Sequence, residues 1–485
     1  MALIWLQQQA PSSSLGDNIM DLREDNQEYR KPNHHKNVAH PLVASSLPSN
    51  NETHSFFVPS TQNEEEGNIL PGVTIQTRDK ILCDSHRQNA LVVLAQKKHS
   101  TYVGRDSLDL LVKTLDLFRQ NYLQQHNDEN DDRYHTVDIF LFHTGDFDED
   151  DLIRLEELLL QPPQDEFAAS SLPKNNNPKN RRQGSLRMIN LNNTAYWSLP
   201  AFLQHDNPET WKGSEIYGVG YRHMCRWFGM QLWQFFEDLN HHQEGCNYRY
   251  IARLDEDSFI LSPIQQDMFK VMQLNQYVYG YRMCAFELEE TLPKIWFKKW
   301  KKSLTTTSST TIHRNIEVGL CGFYTNFFVA DLQFFTSPPV AQFLQEIDRR
   351  GLFYRKRFGD LLVHTLAVYA FAPSTQIHRF LDFTYQHATI DYFKDREKEC
   401  ISWGSIQAGY NDPHGEQLVD AFYDQHVIQK DCPTANITYL HEEDLSPTYS
   451  HLPETIQNRK GGERFRLKTV YAGKVEVPNQ GILSG

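Results

Sequence analysis

Apolar runs and helically spaced apolar positions alternate along the central part of the chain. Ala90 to Ala95, ALVVLA, is a continuous apolar run rich in branched residues, as expected of a strand buried on both faces. Between residues 106 and 122, leucine, valine and phenylalanine recur at helical spacing, and Val137 to Phe142, VDIFLF, is a second apolar run. This order predicts a βαβ unit, and therefore an α/β fold with parallel strands.

The flanks of this region differ from it in composition. Residues 7 to about 80 are rich in Gln, Asn, Ser, Pro and Glu, so we expect residues 1–80 to be a disordered stem or linker. Residues 81–400 are expected to form the folded domain. Beyond residue 400 the apolar spacing weakens, which predicts a C-terminal extension over 401–485 that is partly irregular, above all from residue 440.

Two local patterns bear on the fold: one excludes two fold classes, and the other predicts a helix. No GxGxxG or GxxxxGK[ST] sequence follows the first strand, which argues against a dinucleotide fold and a P-loop. Ser337, followed by Pro338 and Pro339, predicts a capped helix that continues through Ile347 and ends at Gly351.

The charge balance excludes one class of partner. The formal net charge is −14, whereas a general nucleic-acid binder needs clustered excess Lys and Arg. We therefore expect no nucleic-acid partner. A small phosphate-bearing donor remains compatible with this charge, because a bound divalent cation supplies positive charge locally.

One stretch carries candidate metal chemistry. Tyr248 to Leu261, YRYIARLDEDSFIL, is an apolar run interrupted by three consecutive acids. Because carboxylates are costly to bury, acids at the end of a buried strand suggest a cation site. Asp255 and Asp257, two residues apart in a turn, can share one Mn²⁺ or Mg²⁺ directly or through water.

Cations also occur in the aromatic segment GYRHMCRWFGMQLWQFF. Its aromatic residues and methionines are interpreted as core. Arg222, His223 and Arg226 have two interpretations, as structural cations or as contacts for phosphate groups beside the acidic turn.

Six ordered blocks resemble a known family. In order they are GYRHMCRW, YIARLDEDS, YGYRMCAFELEETLPKIW, LCGFYTNF, IDRRGLFYRKRFGDLLVH and IHRFLDFTYQH. Their order and rough spacing, over about residues 88 to 390, are similar to those of the fungal Golgi α-1,2-mannosyltransferases, glycosyltransferase family 15.

The resemblance implies a fold and an activity. The fold would be a GT-A-like nucleotide-sugar transferase fold, with a mixed, mostly parallel sheet flanked by helices. The activity would be retaining α-1,2-mannosyl transfer from GDP-mannose to glycan acceptors of glycoproteins. The cofactor would be Mn²⁺, with Mg²⁺ as the alternative, and the partners a nucleotide-sugar donor and a glycan or glycoprotein acceptor.

The resemblance also assigns roles to individual residues. The family's Arg-Val-Glu-Pro-Asp motif resembles Arg253 to Asp257, which makes Asp255 a metal ligand and Arg253 a diphosphate contact, while the block ending in His387 supplies the second metal ligand. The resemblance also places Asp360 on the donor side and Glu287 on the acceptor side. The residue patterns described above add Arg222 and Asp257 to the donor side.

Two departures from the family pattern concern the transfer step. The family's Asn-Phe-Glu-Ile block, which carries the proposed nucleophile, is here Asn326, Phe327, Phe328 and Val329. A phenyl ring cannot act as a carboxylate, so the catalytic residue is unknown, with Asp331 and Glu317 as secondary candidates. In addition, Phe228 replaces a family tyrosine.

These departures leave two hypotheses. The first is an active retaining transferase. The second is a catalytically silent homologue that binds nucleotide sugar or glycan. From these residue assignments, the sequence predicts that Phe328→Glu leaves donor binding intact and raises turnover.

The expected location follows from the resemblance. It implies the Golgi or secretory lumen, and three sequons, at Asn51, Asn192 and Asn436, fit that compartment. No run approaches the ~20 apolar residues of a spanning helix, and MALIWL at the start is too short for a signal sequence. Membrane association is therefore expected only if an N-terminal anchor is missing from this chain. Lys294 to Lys302 is interpreted as solvated surface, with membrane contact as the alternative.

Overall fold

A computed structural model describes much of the chain between residues 70 and 474. The described residues are 70, 73–76, 83, 88–97, 107–125, 137–160, 186–214, 217–285, 322–395, 399–410, 412–427 and 469–474. Within them, the apolar runs form strands of a mixed, mostly parallel sheet flanked by helices. The predicted fold class, GT-A-like α/β, is confirmed.

The elements are numbered in chain order. The strands are β1 Thr74–Gln76, β2 Asn89–Leu94, β3 Val137–His143, β4 Leu186–Asn190, β5 Tyr250–Leu254, β6 Ser258–Ile260, β7 Tyr279–Tyr281, β8 Cys284–Ala285, β9 Gly322–Phe323, β10 Phe327–Asp331, β11 Ile377–Arg379, β12 Tyr385–Asp395, β13 Glu399–Gln407 and β14 Thr469–Lys474. The α-helices are α1 Ser107–Phe118, α2 Glu149–Leu160, α3 Val219–Arg226, α4 Leu232–His242, α5 Met268–Leu274, α6 Leu332–Thr336, α7 Pro338–Arg349, α8 Leu352–Arg355, α9 Asp360–Phe371 and α10 Gly415–Val427.

The main sheet has the order β1-β4-β3-β2-β5-β10-β7-β11. Strands β4, β3, β2 and β5 are parallel neighbours, whereas β10 runs antiparallel between β5 and β7. The predicted βαβ unit is therefore present as β2, α1 and β3. The carboxyl ends of the parallel strands lie at one edge, where open α/β sheets bind ligands.

Both faces of this sheet are covered. Alternation along β5 places Ile251 in one buried cluster, with the aromatic residues of α4, and Ala252 and Leu254 in the other, with the leucines of α1. Burial on both faces explains why the central strands have continuous apolar sequences.

A second, four-stranded antiparallel sheet has the order β14-β13-β12-β6. Strand β6 follows β5 after a short turn, and β12 pairs with it so that His387 lies opposite Ser258. This pairing brings the C-terminal part of the chain to the edge where β5 ends.

The predicted boundaries at residues 80 and 400 need correction. Strand β1, at Thr74–Gln76, pairs with β4 and so joins the sheet within the predicted stem. After residue 400, β13 pairs with β12, and β14 pairs with β13 inside the segment expected to be irregular. Short edge strands carry little apolar periodicity, so their sequences do not reveal them.

The predicted helix after Ser337 is present as α7 and begins at Pro338 as predicted, but the Ser337 side chain does not cap it. The Ser337 hydroxyl donates to the Phe334 carbonyl at 2.6 Å instead of capping α7. Gly351, with φ of +66°, follows the helix end in the left-handed conformation that favours glycine.

Arg282 ties the two sheets together. Its guanidinium, fully buried, donates to the carbonyls of Phe383 at 2.6 Å, Gln407 at 3.1 Å and Ala408 at 3.0 Å, and to the side-chain oxygen of Gln407. The segment beyond residue 400 is therefore part of the domain that holds β12.

We expect Arg282→Met to lower the free energy of unfolding by about 3 kcal/mol or more, because it leaves buried carbonyls without donors. Urea denaturation measures this. The matched control is Arg249→Met. The Arg249 side chain pairs with Asp331 and is one-third exposed, so its loss should lower the free energy of unfolding by about 1 kcal/mol or less. Equal losses for the two variants would contradict the role given to Arg282.

Two further features concern a covalent link and the length of the apolar helices. Cys83 and Cys246 form a disulfide with a Cα–Cα distance of 4.9 Å. Among the helices that the structure describes, none combines the length and apolar character needed to cross a membrane. The basic segment 294–302 lies outside the described residues.

Candidate metal centre

The acidic turn lies at the carboxyl end of β5. Strand β5 is flanked by β2 and β10, so its side chains are buried, and the chain turns sharply at residues 255–257 before β6. Backbone bonds fix this turn: Asp255 N–H donates to the Asn326 carbonyl at 3.2 Å, and Ser258 N–H donates to the Asp255 carbonyl at 3.1 Å. The turn is thus held in place by the residues that begin β10.

Three side chains converge at this turn. His387 Nε2 lies 3.5 Å from Asp255 Oδ2 and 3.3 Å from Asp257 Oδ1, and one ligand atom of each residue lies within 4.8 Å of the others. All three side chains are buried. Among the described residues, this is the one group of three or more His, Cys, Asp or Glu side chains arranged to hold an ion.

The ring orientation of His387 suits metal binding. Its Nδ1 hydrogen-bonds to the Tyr324 hydroxyl at 3.0 Å, whereas Nε2 has no hydrogen-bond partner and faces the two carboxylates. With Nδ1 protonated and donating to Tyr324, the Nε2 lone pair is left for a cation.

The spacing of the three groups fits a divalent cation. Ligands on a common Mg²⁺-sized ion at right angles lie about 3 Å apart, close to the separations between His387 and the carboxylates. The donor set of two carboxylates and one imidazole is compatible with Mn²⁺ or Mg²⁺. The predicted ligands Asp255 and His387 are thus brought together, and Asp257, predicted on the donor side, joins them.

Arg253 links this cluster to a third acid. Its Nε donates to Asp255 Oδ1 and its Nη1 to Asp360 Oδ2, each at 2.7 Å. Asp360 also accepts from the Thr325 hydroxyl at 2.8 Å. Because α9 begins at Asp360, the helix start is anchored directly to the metal turn.

An aromatic ring supports the Arg253 guanidinium. The centre of that group lies 3.4 Å from the centroid of the Phe228 ring, a cation–π contact. Phe228 is in a π-helical stretch, Trp227–Gln231, that packs tightly on its neighbours: a Cβ on Gly229 would lie 2.7 Å from Phe353. The phenyl ring at 228 thus supports the guanidinium by its face, an interaction that needs no hydroxyl.

The charges in the site stabilise one another. Burial raises the pKa of Asp255 and of Asp360, but Arg253, acting with His387 at Asp255 and with His364 and Thr325 at Asp360, holds each pKa below its usual value. Burial also raises the pKa of Asp257, and His387 more than offsets that effect. Burial lowers the pKa of His387, but Asp257 and Asp255 outweigh it, so this pKa is raised.

The middle acid of the turn behaves differently from its neighbours. Burial, together with Asp257 and Asp255, raises the pKa of Glu256 well above its usual value. The Glu256 carbonyl accepts from the Thr114 hydroxyl at 2.8 Å, which attaches this side of the turn to α1. The neutral form of Glu256 is therefore favoured, unlike the flanking aspartates.

Two predicted residues do not join the cluster. Arg222 donates to the backbone carbonyls of Tyr217, Lys212 and Tyr354, which gives it structural hydrogen bonds. Asp331 lies at the opposite end of β10, pairs with Arg249 at 2.6 Å and caps α6. Its candidacy as a catalytic carboxylate is wrong, because antiparallel pairing places it beside Tyr250, where β5 begins.

Phe328, at the expected nucleophile position, is fully buried. It lies opposite Arg253 in the β5–β10 register, and its ring contacts those of His364 at 5.2 Å, Tyr279 at 5.7 Å and Trp233 at 5.9 Å. Its surroundings are thus aromatic. The remaining candidates, Glu287 and Glu317, lie outside the described residues.

Sequence reasoning missed the supporting groups Tyr324 and Thr325. Both belong to the CGFYTNF block, and their roles depend on contacts with His387 and Asp360, which come from much later in the chain. The sequence signal for these two groups was their position, as a polar pair between two apolar strands.

We expect Tyr324→Phe to weaken Mn²⁺ binding by about 10- to 100-fold, because it removes the hydrogen bond that orients His387. Metal titration by calorimetry measures this. Tyr279→Phe is the matched control, since Tyr279 hydrogen-bonds to Nδ1 of His364 at 3.1 Å, outside the cluster. Equal metal affinity in the two variants would argue against orientation by Tyr324.

The mixed, mostly parallel sheet, with a buried metal-type cluster at its carboxyl edge, gives the chain a GT-A-like fold. Residues 176–402 match the family model described as glycolipid 2-alpha-mannosyltransferase. The resemblance to glycosyltransferase family 15 inferred from the sequence is therefore confirmed.

Curated relatives carry corresponding names. The chain is 30% identical to glycolipid 2-alpha-mannosyltransferase of Saccharomyces cerevisiae over 40% of this chain and 46% of that protein. It is 26% identical to O-glycoside alpha-1,2-mannosyltransferase homolog 2 of Schizosaccharomyces pombe over 41% of this chain and 56% of that protein. The chain spans about half the length of these relatives. These names agree with the predicted class, glycosyltransferase.

A solved structure also aligns with the chain. Core-mannan synthase A from Aspergillus fumigatus, in a Mn/GDP form, gives a TM-score of 0.45 at 19% identity over 62% of this chain and 75% of its own.

Proposed function

We propose that this chain transfers mannose from GDP-mannose to a hydroxyl of a glycan, with retention of anomeric configuration. The observation that carries the proposal is the buried cluster of Asp255, Asp257 and His387 beside Arg253. Buried carboxylates need a positive partner, and a divalent cation that also binds a diphosphate supplies one. The names of the curated relatives support mannose as the transferred sugar.

The charge balance of the site supports a metal-bound diphosphate. With His387 neutral as a metal ligand, Asp255, Asp257 and Asp360 carry three negative charges and Arg253 carries one positive charge. These groups leave two negative charges that a divalent cation neutralises. Imidazole in the ligand set favours Mn²⁺ over Mg²⁺. When bound, the cation neutralises the charge that builds up on the leaving diphosphate.

The residues of the chain have separate tasks in this proposal. Asp255, Asp257 and His387 hold the cation, and Tyr324 fixes the imidazole. Arg253, held by Asp255 and Asp360, presents positive charge to the diphosphate, and Asp360 accepts from sugar hydroxyls. These side chains are buried, so their mutual attraction is stronger than it would be in water.

The transfer step proceeds without a carboxylate at position 328. The bond between the anomeric carbon and the diphosphate oxygen breaks, and the acceptor oxygen forms a bond to that carbon on the same face. The acceptor proton passes to the departing phosphate oxygen. The products are GDP and the extended glycan, with configuration retained.

A silent homologue that binds nucleotide sugar without transferring it is the second candidate. The observation that favours it is Phe328, which is fully buried among aromatic rings. Of the two secondary carboxylate candidates, Asp331 lies at the other end of the strand and Glu317 lies outside the described residues.

One experiment separates these functions. The purified chain is incubated with Mn²⁺, GDP-mannose and a panel of α-mannosides, while calorimetry measures donor binding. Product formation supports the transferase. Donor binding without turnover on any acceptor supports the silent homologue, and absence of Mn²⁺-dependent binding overturns both.

The location proposed for this activity is the Golgi or secretory lumen. The Cys83–Cys246 disulfide supports an oxidising compartment. Glycan acceptors of glycoproteins occur in the same compartment. Labelling of Cys83 and Cys246 as free thiols in protein taken from the cell without a change of redox conditions would contradict this placement.

A further inference from the structure

Asn326 has a buried side chain that makes no hydrogen bond. Its relative exposure is 1%, and neither Nδ2 nor Oδ1 has a hydrogen-bond partner. Buried amides are almost always hydrogen-bonded, because removing a polar group from water without a replacement partner is costly. An amide in this state suggests that its partner belongs to a ligand.

The backbone of Asn326 fixes it beside the metal turn. Its carbonyl accepts from the Asp255 N–H at 3.2 Å and from the Ser258 hydroxyl at 3.3 Å. The position of residue 326 is therefore set by the turn that presents Asp255, and the side chain is free of any structural hydrogen bond.

The next residue towards the N-terminus belongs to the arginine network. Thr325 donates to Asp360, which in turn accepts from Arg253. Asn326 is thus bonded through its backbone to the metal ligand Asp255, and its neighbour Thr325 is bonded to Asp360, the acid proposed to contact sugar hydroxyls.

We propose that the Asn326 amide binds hydroxyl groups of the sugar carried by the nucleotide donor. This rests on the proposed function of the site. An amide offers both a donor and an acceptor, and a hydroxyl can satisfy both, whereas a phosphate oxygen only accepts. The ribose hydroxyls and the guanine edge share this chemistry, but the transferred sugar is bonded directly to the diphosphate and so lies next to the metal turn that fixes residue 326.

The test measures how one variant binds two probes, GDP-mannose and GDP. In the presence of Mn²⁺, Asn326→Leu should raise the Kd for GDP-mannose about 10-fold or more and leave the Kd for GDP unchanged. Calorimetry measures both constants. The melting temperature of the free variant should be unchanged or higher, because leucine removes an unsatisfied amide of similar size.

Asn240→Leu is the matched control. Asn240 is hydrogen-bonded in both directions with Tyr248, through Nδ2 to the carbonyl and Oδ1 from the N–H, each at 2.8 Å. This variant should lower the melting temperature and leave the Kd ratio of GDP-mannose to GDP unchanged. The contrast separates a structural amide from one that binds ligand.

Each other outcome overturns the inference. Equal weakening of GDP and GDP-mannose would place the amide at the nucleoside diphosphate that both share, and loss of Mn²⁺ binding alone would make it a metal ligand. An unchanged Kd for GDP-mannose would show that the amide has no role in binding. If Asn326→Leu does not fold, Asn326→Ala serves in the same comparison. Failure of the wild-type chain to bind GDP-mannose would instead overturn the proposed function.

Discussion

Replacing Asp255 by asparagine is expected to weaken Mn²⁺ binding by more than about 100-fold, beyond what loss of a supporting hydrogen bond causes. Asparagine keeps the shape of the side chain but removes the charge that faces His387 and the cation. His387→Ala should have the same effect by removing the third ligand. Calorimetric titration with Mn²⁺, then with GDP, measures both losses.

The control for this prediction is Asp331→Asn. Asp331 is also a buried carboxylate on the same pair of strands, but it lies at the other end of β10 and caps α6, a role that asparagine retains. The Asp331→Asn variant should therefore bind Mn²⁺ with wild-type affinity. Wild-type affinity for Mn²⁺ and GDP in Asp255→Asn would show that the metal lies elsewhere.

Phe328→Glu is expected to destabilise the fold by about 3 kcal/mol or more, because a carboxylate would be buried among aromatic rings. This revises the expectation from sequence that the variant leaves donor binding intact. Arg253, opposite in the register, is already paired with Asp255 and Asp360. Urea denaturation at pH 7 measures the loss.

The pH dependence identifies the cause. Burial would raise the folded-state pKa of the introduced carboxyl above its unfolded value of about 4.3. The group then costs little below that value and progressively more as the pH rises towards its folded pKa. The stability deficit against wild type should therefore be smaller at pH 4 than at pH 7.

Two variants at the same position serve as controls. Phe328→Gln introduces polarity without charge and should show no such pH dependence, and Phe328→Leu keeps the site apolar and should cost less than either. If Phe328→Glu is as stable as Phe328→Leu and turns donor over faster than wild type, the side chain at this position reaches the donor.

The elements with strong local signals were predictable. The run from Ala90 to Ala95 and that from Val137 to Phe142 form adjacent parallel strands, because continuous branched apolar residues favour burial on both faces of a sheet. The acids after β5 were also recognisable, since charged residues directly following a buried strand need a partner. By contrast, β1 and β14 carry no such signal.

The partners of the acidic turn were not predictable from spacing. His387 was assigned by resemblance to a family, and its chemistry depends on Tyr324, whose hydroxyl meets it across the two sheets. Asp331 illustrates the reverse case. It is next to the proposed catalytic block in sequence, yet an antiparallel strand carries it to the opposite edge.

The sequence by itself determined that this protein is an α/β domain with an acidic turn after a buried strand, because those features depend on residues close together in the chain. Only the tertiary structure decided which side chains complete the site. The pairing of β6 with β12 sets His387 beside Asp257, and the start of α9 sets Asp360 beside Arg253. Such contacts depend on strand register and helix packing, and local apolar periodicity carries no information about either.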